Sequence, residues 1–277
     1  MEKMIEDLRS LININSVCEK DFSSAYPFGE GVHMALKKAL EICKNYGFET
    51  ENCENMIGYA EVGSGETLMG ILVHLDVVPA GDGWDSNPFS LEVRDGKIYG
   101  RGVTDDKGPA IAVIHAMKEL LEEGVTFNKR VRIIFGQAEE TGEWEDMEYY
   151  KKNEEAVDFG FTPDADFPAI YGEKGIAHLK IAFKKSDTCF DTISGGTAIN
   201  MVPDSCTATY SVNGETKTLS VRGKAAHGST PEDGENAISK LMSELSNDAS
   251  DCRLIEFFRK FIKLEYNGES LGGHVSD

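Results

Sequence analysis

The sequence lacks several features by which other classes of protein are recognised. No stretch of its 277 residues is long and apolar enough to span a bilayer, so no membrane partner is expected. The first residues lack the basic and apolar regions of a signal peptide. Basic residues are scarce: 28 lysines and arginines stand against 48 acidic residues, which gives a formal charge of −20. Such a charge disfavours binding to nucleic acid and to anionic membranes.

Cysteine is also sparse, and its spacing excludes two kinds of site. The six cysteines are scattered along the chain and form no Cys-x-x-Cys pair. This pattern predicts free thiols in a reducing compartment, and hence a cytoplasmic protein, rather than zinc ligands or a disulfide framework. The chain shows no internal repeat and no low-complexity linker. Its length suffices for a sizeable core in one large or two modest domains.

Alternating helical and strand patterns predict an α/β fold. Apolar periodicity predicts helices over 3–12, 31–46 and 108–122. Strands are predicted from shorter apolar or alternating runs near 49–53, 57–62, 67–76, 130–136 and 157–161, with a strand pair near 90–100. The later part of the chain carries a hairpin signal at Asn213-Gly214 and helical patterns over 233–246 and 251–265.

A histidine follows the predicted strand 67–76 at the position where open α/β sheets bind their ligands. His74 comes directly after the apolar run 68–73, which is typical of a buried strand. Asp76 lies two residues further on, and an Asp beside a ligating His commonly accepts its other ring N–H. An isolated His-x-Asp sequence is more often structural. It indicates a functional site only in combination with the other segments described below.

Carboxylates follow three other predicted strands. Asp105 lies in a glycine-flanked turn before a helix, where it could equally serve as a helix N-cap. Glu139 and Glu140 follow the strand 130–136. Adjacent glutamates are costly to bury without a cation, although acids also favour helix N-termini. Asp164 follows a short apolar strand and, by itself, is best interpreted as a plain turn residue.

The four segments together are more specific than any one of them. They supply His, Asp, Glu and Asp, a ligand set suited to Zn²⁺ or Mn²⁺, with Co²⁺ as a further candidate. A carboxylate that bridges two ions suits the spacing of about 3.5–4 Å in two-metal sites, which activate water for attack. The combination therefore predicts a two-metal hydrolase.

These segments resemble the M20 family of metallopeptidases, and within it the PepV-like (Sapep) dipeptidases. The resemblance covers nearly the whole chain and rests on motifs that occur in the family's order. They are His74-Leu75-Asp76-Val77-Val78-Pro79, Gly81-Asp82-Gly83-Trp84, Tyr99-Gly100-Arg101-Gly102, Asp105-Asp106-Lys107-Gly108-Pro109, Glu139-Glu140-Thr141-Gly142, Pro163-Asp164-Ala165 and Gly172-Glu173-Lys174-Gly175.

The resemblance implies a role for each of the strand-end residues. His74, Asp105 and Asp164 would hold one divalent metal ion. Asp105 would bridge to a second ion, which Glu140 would also hold. Glu139 would be the general base that takes a proton from the attacking water and passes it to the leaving amine.

The resemblance also implies supporting and substrate-contacting residues. Asp76 would orient His74. His227, in a Gly/Ser-rich segment, would reach the substrate and help to stabilise the oxyanion, whereas without the resemblance it would be interpreted as a surface histidine. Asn200 would be a substrate contact, although a structural turn role fits it equally. The expected substrate is a small peptide.

The implied architecture is α/β, with a mixed-sheet zinc-peptidase-like catalytic domain over 1–185 and a partial α+β lid domain over 186–277. The family's last metal ligand, a histidine near the C-terminus, has no clear counterpart. His274 lies in a glycine-rich tail, where a histidine is more often solvated than ligating. We therefore expect an apparent C-terminal truncation and an impaired second metal site, unless a homo-oligomer or a complementing chain completes it.

Two alternatives to a dipeptidase stay open from the sequence. The chain could be a truncated, non-catalytic paralogue that binds a metal ion or a partner chain without turnover. It could also be an M20 amidohydrolase or deacylase, such as a desuccinylase. The motifs around Asp106-Lys107 and Glu173-Lys174 are more similar to those of the dipeptidase branch.

Overall fold

A computed structural model describes residues 1–81, 83–165, 168–172, 175, 178–212, 214–245, 252–266 and 268–272. The chain forms two compact units, Met1–Glu173 and Lys174–Asp277. Their assignment as catalytic and lid domains remains a prediction.

The first unit alternates helices and strands, as the sequence predicts. Its elements in chain order are α1 (Glu2–Ile12), α2 (Glu30–Asn45), β1 (Glu49–Cys53), β2 (Ile57–Val62), β3 (Leu68–His74), β4 (Glu92–Arg94), β5 (Lys97–Tyr99), α3 (Lys107–Glu122), β6 (Arg130–Gly136), a 3₁₀ turn (Glu139–Thr141), α4 (Glu145–Asn153) and β7 (Phe159–Phe161). Most bounds lie within a few residues of those predicted, and the strand pair predicted near 90–100 is the short antiparallel pair β4–β5.

Five of these strands form one mixed sheet, in the order β1-β2-β6-β3-β7. Strands β1, β2 and β6 pair antiparallel, whereas β3 is parallel to both β6 and β7. This confirms the predicted α/β class with a mixed sheet. Because β3, β6 and β7 run in the same direction, their carboxyl ends meet at one edge of the sheet. His74 pairs with Gly136 across that edge.

The core of the first unit lies between the sheet and helices α1, α2 and α3. The apolar stripe of α2, with Val32, Ala35, Leu36 and Ala39, is fully buried, as its spacing predicts. Ile133 and Phe135 of β6 are also fully buried, since this strand is central in the sheet. The packed core therefore holds the carboxyl ends of β3 and β6 in fixed positions.

The second unit is an antiparallel sheet with helices. It contains β8 (Phe190–Gly195), β9 (Ser205–Val212), β10 (Glu215–Arg222), α5 (Ala237–Leu245) and α6 (Arg253–Phe257), which continues as a π-helical turn over Phe258–Ile262. The sheet order is β10-β9-β8, and Val212 pairs with Glu215 where the sequence predicts a hairpin. Its core includes Phe190, Ala208 and Leu241.

Two further observations concern the cysteines and the helices. All six cysteines are free thiols. Within the part of the chain that the structure describes, no helix combines the length and the apolar character needed to cross a membrane.

Candidate metal centre

Three predicted ligands converge at the carboxyl edge of the sheet. His74 ends β3, Asp105 lies in the turn before α3, and Asp164 follows β7. One ligand-capable atom from each lies within 4.8 Å of the others. The Nε2 atom of His74 is 2.9 Å from Asp105 Oδ1 and 3.3 Å from Asp164 Oδ2. Glu139 Oε2 lies 3.9 Å from the same nitrogen.

The ring of His74 is held from its other side. Its Nδ1 lies 3.0 Å from the backbone oxygen of Asp76 and 3.4 Å from a carboxylate oxygen of the same residue. Both are acceptors, so Nδ1 carries a proton. Without a metal ion, Nε2 lies at hydrogen-bond distance from Asp105 Oδ1, which is also an acceptor, and a bound cation would take the place of the proton on that nitrogen. Asp76, which the sequence predicts to orient His74, thus makes its shorter contact with the ring through its backbone oxygen rather than through its carboxylate.

The Asp76 side chain has a second set of partners that the sequence analysis missed. It is fully buried, and it accepts the backbone N–H of Glu139 at 3.2 Å and that of Glu140 at 3.1 Å. These bonds fix the 3₁₀ turn in which both glutamates lie. Asp76 therefore connects the histidine at the end of β3 with the glutamate pair that follows β6.

The turn before α3 also has more structure than its sequence suggests. Asp106 is fully buried and accepts the backbone N–H of His74 at 3.0 Å, while its Oδ1 has no hydrogen-bond partner. It occupies the N-cap position of α3 but makes no side-chain capping bond to the helix. A side chain at Gly108 would place its Cβ 1.9 Å from the carbonyl oxygen of Val103, which excludes other residues.

Lys107 is an unexpected part of this turn. Its side chain is fully buried, and its Nζ donates to the backbone oxygens of Leu11 and Ile14, each at 3.0 Å. Burial lowers its pKa to about 7, although the charge of Asp76 opposes this shift. These bonds connect the turn that carries Asp105 to the end of α1. A basic residue beside two acids gives no sequence signal for such a contact.

The electrostatics of the centre reflect crowded carboxylates. Burial alone would lower the pKa of His74, but hydrogen bonds with Asp105, Asp164 and Asp76 raise it well above its usual range. Burial, and after it the charge of Asp105, raises the pKa of Glu140 to about 7. Burial also raises the pKa of Glu139. Glu140 is not in the three-residue ligand group, so its ligation of a second ion stays a prediction.

The two predicted substrate contacts lie together in the second unit. The backbone oxygen of Asn200 accepts the N–H of Gly228 at 2.7 Å, and Met201 pairs with His227. The backbone N–H of Ser229 donates to His227 Nδ1 at 3.2 Å. In the neutral ring the proton therefore lies on Nε2, from which it can be donated to a hydrogen-bond acceptor. His274 lies outside the described residues.

A family model supports the same assignment as the motifs. Residues 70–269 match the model of peptidase family M20/M25/M40. The chain belongs to this family. The match includes every predicted ligand and both predicted substrate contacts, and it confirms the family resemblance that the sequence motifs indicate. The PepV-like branch within M20 stays a prediction.

Curated relatives are similar to three quarters or more of the chain. A putative dipeptidase of Staphylococcus saprophyticus is 38% identical over 97% of this chain and 65% of its own length. A putative dipeptidase of Bacillus subtilis is 42% identical over 75% of this chain and 46% of its own. The Beta-Ala-Xaa dipeptidase of Lactobacillus delbrueckii is 34% identical over 98% of this chain and 65% of its own length. The chain thus spans less than two thirds of the length of these relatives.

Two solved dipeptidase structures resemble part of this M20 chain. Human carnosine dipeptidase 1 superposes with a TM-score of 0.52 and 25% identity, over 59% of this chain and 38% of that one. The dipeptidase Dug1p of Saccharomyces cerevisiae superposes with a TM-score of 0.50 and 26% identity, over the same shares. Both support the assignment of the α/β fold.

Proposed function

We propose that this M20 chain is a metal-dependent dipeptidase that hydrolyses small peptides through a water activated by two divalent metal ions. The observation that carries this proposal is the clustering of three carboxylates around His74 Nε2. Carboxylate oxygens of Asp105, Asp164 and Glu139 lie 2.9, 3.3 and 3.9 Å from that one nitrogen. Small-peptide substrates and a cytoplasmic location belong to the same proposal.

The donor set fits a divalent cation. Three carboxylates around one imidazole carry an excess of negative charge, which is costly at a partly buried site unless a cation offsets it. Imidazole nitrogen and carboxylate oxygen suit Zn²⁺, Mn²⁺ and Co²⁺. His74, Asp105 and Asp164 would hold one ion, and Asp105 with Glu140 would hold the other. When bound, the ions supply Lewis-acid polarisation of the scissile carbonyl and lower the pKa of water.

Glu139 is the residue proposed to move the proton. It is half-buried beside His74, and its pKa is raised by burial and by the charges of Asp164 and Asp76. A carboxylate whose pKa is raised toward neutrality is better matched to accept a proton from water and to return it to an amine. The turn that carries Glu139 is fixed through Asp76, so this proton acceptor is held in place before substrate binds.

Asn200 and His227 are proposed as substrate contacts. The support is the hydrogen-bond donor left on His227 Nε2 and the pairing of the two segments that carry these residues. A neutral imidazole that donates from Nε2 can stabilise a developing oxyanion without adding a net charge. The names of the relatives, among them a Beta-Ala-Xaa dipeptidase, favour dipeptides as the substrate class.

Metal titration combined with peptide hydrolysis tests the proposal. The protein is stripped with a chelator, titrated with Mn²⁺ or Zn²⁺, and assayed on α- and β-alanyl dipeptides. Glu139→Gln should keep the metal ions but lose roughly 10²–10⁴-fold in turnover. Glu148→Gln, the same change at an exposed position of α4, should retain wild-type turnover.

Three other outcomes would count against the proposal. Metal binding without turnover, at any Mn²⁺ or Zn²⁺ concentration, would favour the non-catalytic alternative. Faster hydrolysis of N-succinyl amino acids than of dipeptides would favour the deacylase alternative. Retained turnover in Glu139→Gln would remove Glu139 from the role of base.

A further inference from the structure

Asp146 is a buried carboxylate at the base of the loop that carries Glu139 and Glu140. It lies in the first turn of α4 and is only 1% exposed. Its Oδ2 accepts the backbone N–H of Gln137 at 2.6 Å and that of Ala138 at 3.1 Å. Its Oδ1 accepts the N–H of Met147 at 2.8 Å. The carboxylate therefore ties the beginning of α4 to the end of β6.

Together with Asp76, this residue holds four consecutive amides. Asp146 takes the N–H groups of Gln137 and Ala138, and Asp76 takes those of Glu139 and Glu140. Since each buried carboxylate binds two neighbouring amides, the orientation of every peptide group from 137 to 140 is set by a side chain. The directions in which Glu139 and Glu140 leave the backbone follow from these orientations.

The surroundings of Asp146 leave it little freedom to move. A Cβ at Gly136 would lie 3.3 Å from Asp146 Oδ2 and 3.5 Å from the Cβ of His74, so glycine at this position makes room for the carboxylate. On the outer side of the same loop, Lys20 Nζ forms an ion pair with Glu145 at 2.8 Å. The loop is therefore held from inside and from outside.

We propose that Asp146 is a positioning residue for the Glu139–Glu140 turn. It acts through the backbone amides of Gln137 and Ala138, which precede the two glutamates. Its catalytic consequence rests on the proposed dipeptidase function, because it fixes the carboxylate proposed as base. Supporting residues of this kind hold catalytic groups within a fraction of an ångström of their working geometry.

The first test does not depend on turnover. Hydrogen exchange is compared for the wild type, Asp146→Ala, Asp146→Asn and the control Asp7→Ala, which removes a buried carboxylate of α1 outside the centre. Asp146→Ala should raise the amide exchange rate about tenfold or more in peptides covering 136–142. In peptides covering 69–76, its exchange rate should equal that of Asp7→Ala. Asp146→Asn, which keeps one acceptor oxygen, should lie between. An equal rise in both segments, or none in 136–142, would overturn the proposal.

The second test measures steady-state kinetics on a dipeptide, with each variant assayed at the same margin below its melting temperature. Asp146→Ala should lose roughly ten- to hundredfold in kcat with little change in KM, while Asp7→Ala keeps the wild-type kcat. The absorption spectrum of the Co²⁺-loaded His74 group should be unchanged in Asp146→Ala. Equal kcat losses in Asp146→Ala and Asp7→Ala would overturn a positioning role. If the wild type shows no turnover, the proposed function fails, and hydrogen exchange alone decides the role of Asp146.

Discussion

The side chain of Asp76 accepts the backbone N–H of Glu139 at 3.2 Å. The backbone oxygen of the same Asp76 lies 3.0 Å from His74 Nδ1. One buried residue thus sets both the ring of the proposed metal ligand and the turn of the proposed base. The two halves of the centre are separated by 63 residues of sequence at this contact, and Asp76 connects them through its side chain and its backbone oxygen.

Replacing Asp76 should therefore impair both halves at once. Asp76→Asn keeps one acceptor oxygen, so it can bind the N–H of Glu139 or of Glu140 but not both. The substitution leaves the backbone oxygen in contact with His74 Nδ1 but removes the carboxylate charge 3.4 Å from that nitrogen. Weakening the support of a ligating histidine in this way should lower metal affinity roughly 10–100-fold and reduce turnover. Calorimetric titration with Zn²⁺ measures the affinity. Asp85→Asn, at a side chain that is 75% exposed, is the matched control, and an affinity equal to the wild type would contradict the prediction.

Metal binding should release protons at neutral pH. In the metal-free protein, the pKa of His74 is raised well above its usual range despite burial, and that of Glu140 is raised to about 7. Because a bound cation needs unprotonated donors, affinity should rise as the pH increases through neutrality and fall as it decreases. Titrations at one pH in two buffers of different ionisation enthalpy should then give different heats, and identical heats would refute proton release.

Asp7 should contribute stability that disappears in acid. Burial alone would raise its pKa, but hydrogen bonds from Tyr46 and His115 and the contact with Lys3 lower it below its usual range. A lowered pKa in the folded state means that the contribution is present above the unfolded pKa of about 3.9 and is lost as the pH falls through the folded value.

The test is the free energy of unfolding in urea. Asp7→Asn should cost about 1–3 kcal/mol at pH 7, the usual effect of disturbing a buried hydrogen-bonded carboxylate. This difference between variant and wild type should shrink below pH 4. A difference that stays constant with pH would show that the charge of Asp7 is not its cause.

Ser229 should control the tautomer of His227. Its Oγ lies 2.7 Å from His227 Nδ1, and its backbone N–H donates to the same nitrogen. Ser229→Ala should reduce kcat by about threefold to tenfold, which corresponds to the loss of one hydrogen bond. Ser229→Thr keeps the hydroxyl and should restore kcat. Nitrogen chemical shifts of His227 report the tautomer independently of turnover. Ser220→Ala, which removes a hydroxyl bonded to Thr207 on the neighbouring strand, serves as the control.

Local patterns predicted most of the secondary structure of the first unit. The stripe of α2 and the apolar run of β3 are set by neighbours in the sequence, so their periodicity indicates them directly. The predicted helices of the second unit are shortened, since α5 begins only at Ala237, after Gly234 and a paired segment at Glu235. Short-range patterns are least specific where loops and helix ends meet.

The candidate ligands could also be found from the sequence, because each follows a strand signal and parallel strands end at a common edge. The sequence did not reveal the supporting roles of Asp106, Lys107 and Asp146. Lys107 binds backbone oxygens 93 and 96 residues away. Asp146 binds amides only 8 and 9 residues away, yet it appears in the sequence as one of several acids at a helix start. No residue type or spacing distinguishes these roles from a solvated charge.

The sequence by itself determined the residue types of the centre, the strand ends at which they lie and the family to which the chain belongs. These properties depend on side-chain chemistry and on hydrophobic period, which are local. The tertiary structure alone decided which carboxylates reach His74 and which buried acids hold the backbone around them. Those contacts depend on the packing of α1, α3 and α4 against the sheet, because burial converts an ordinary Asp into a group that must find a hydrogen-bond partner.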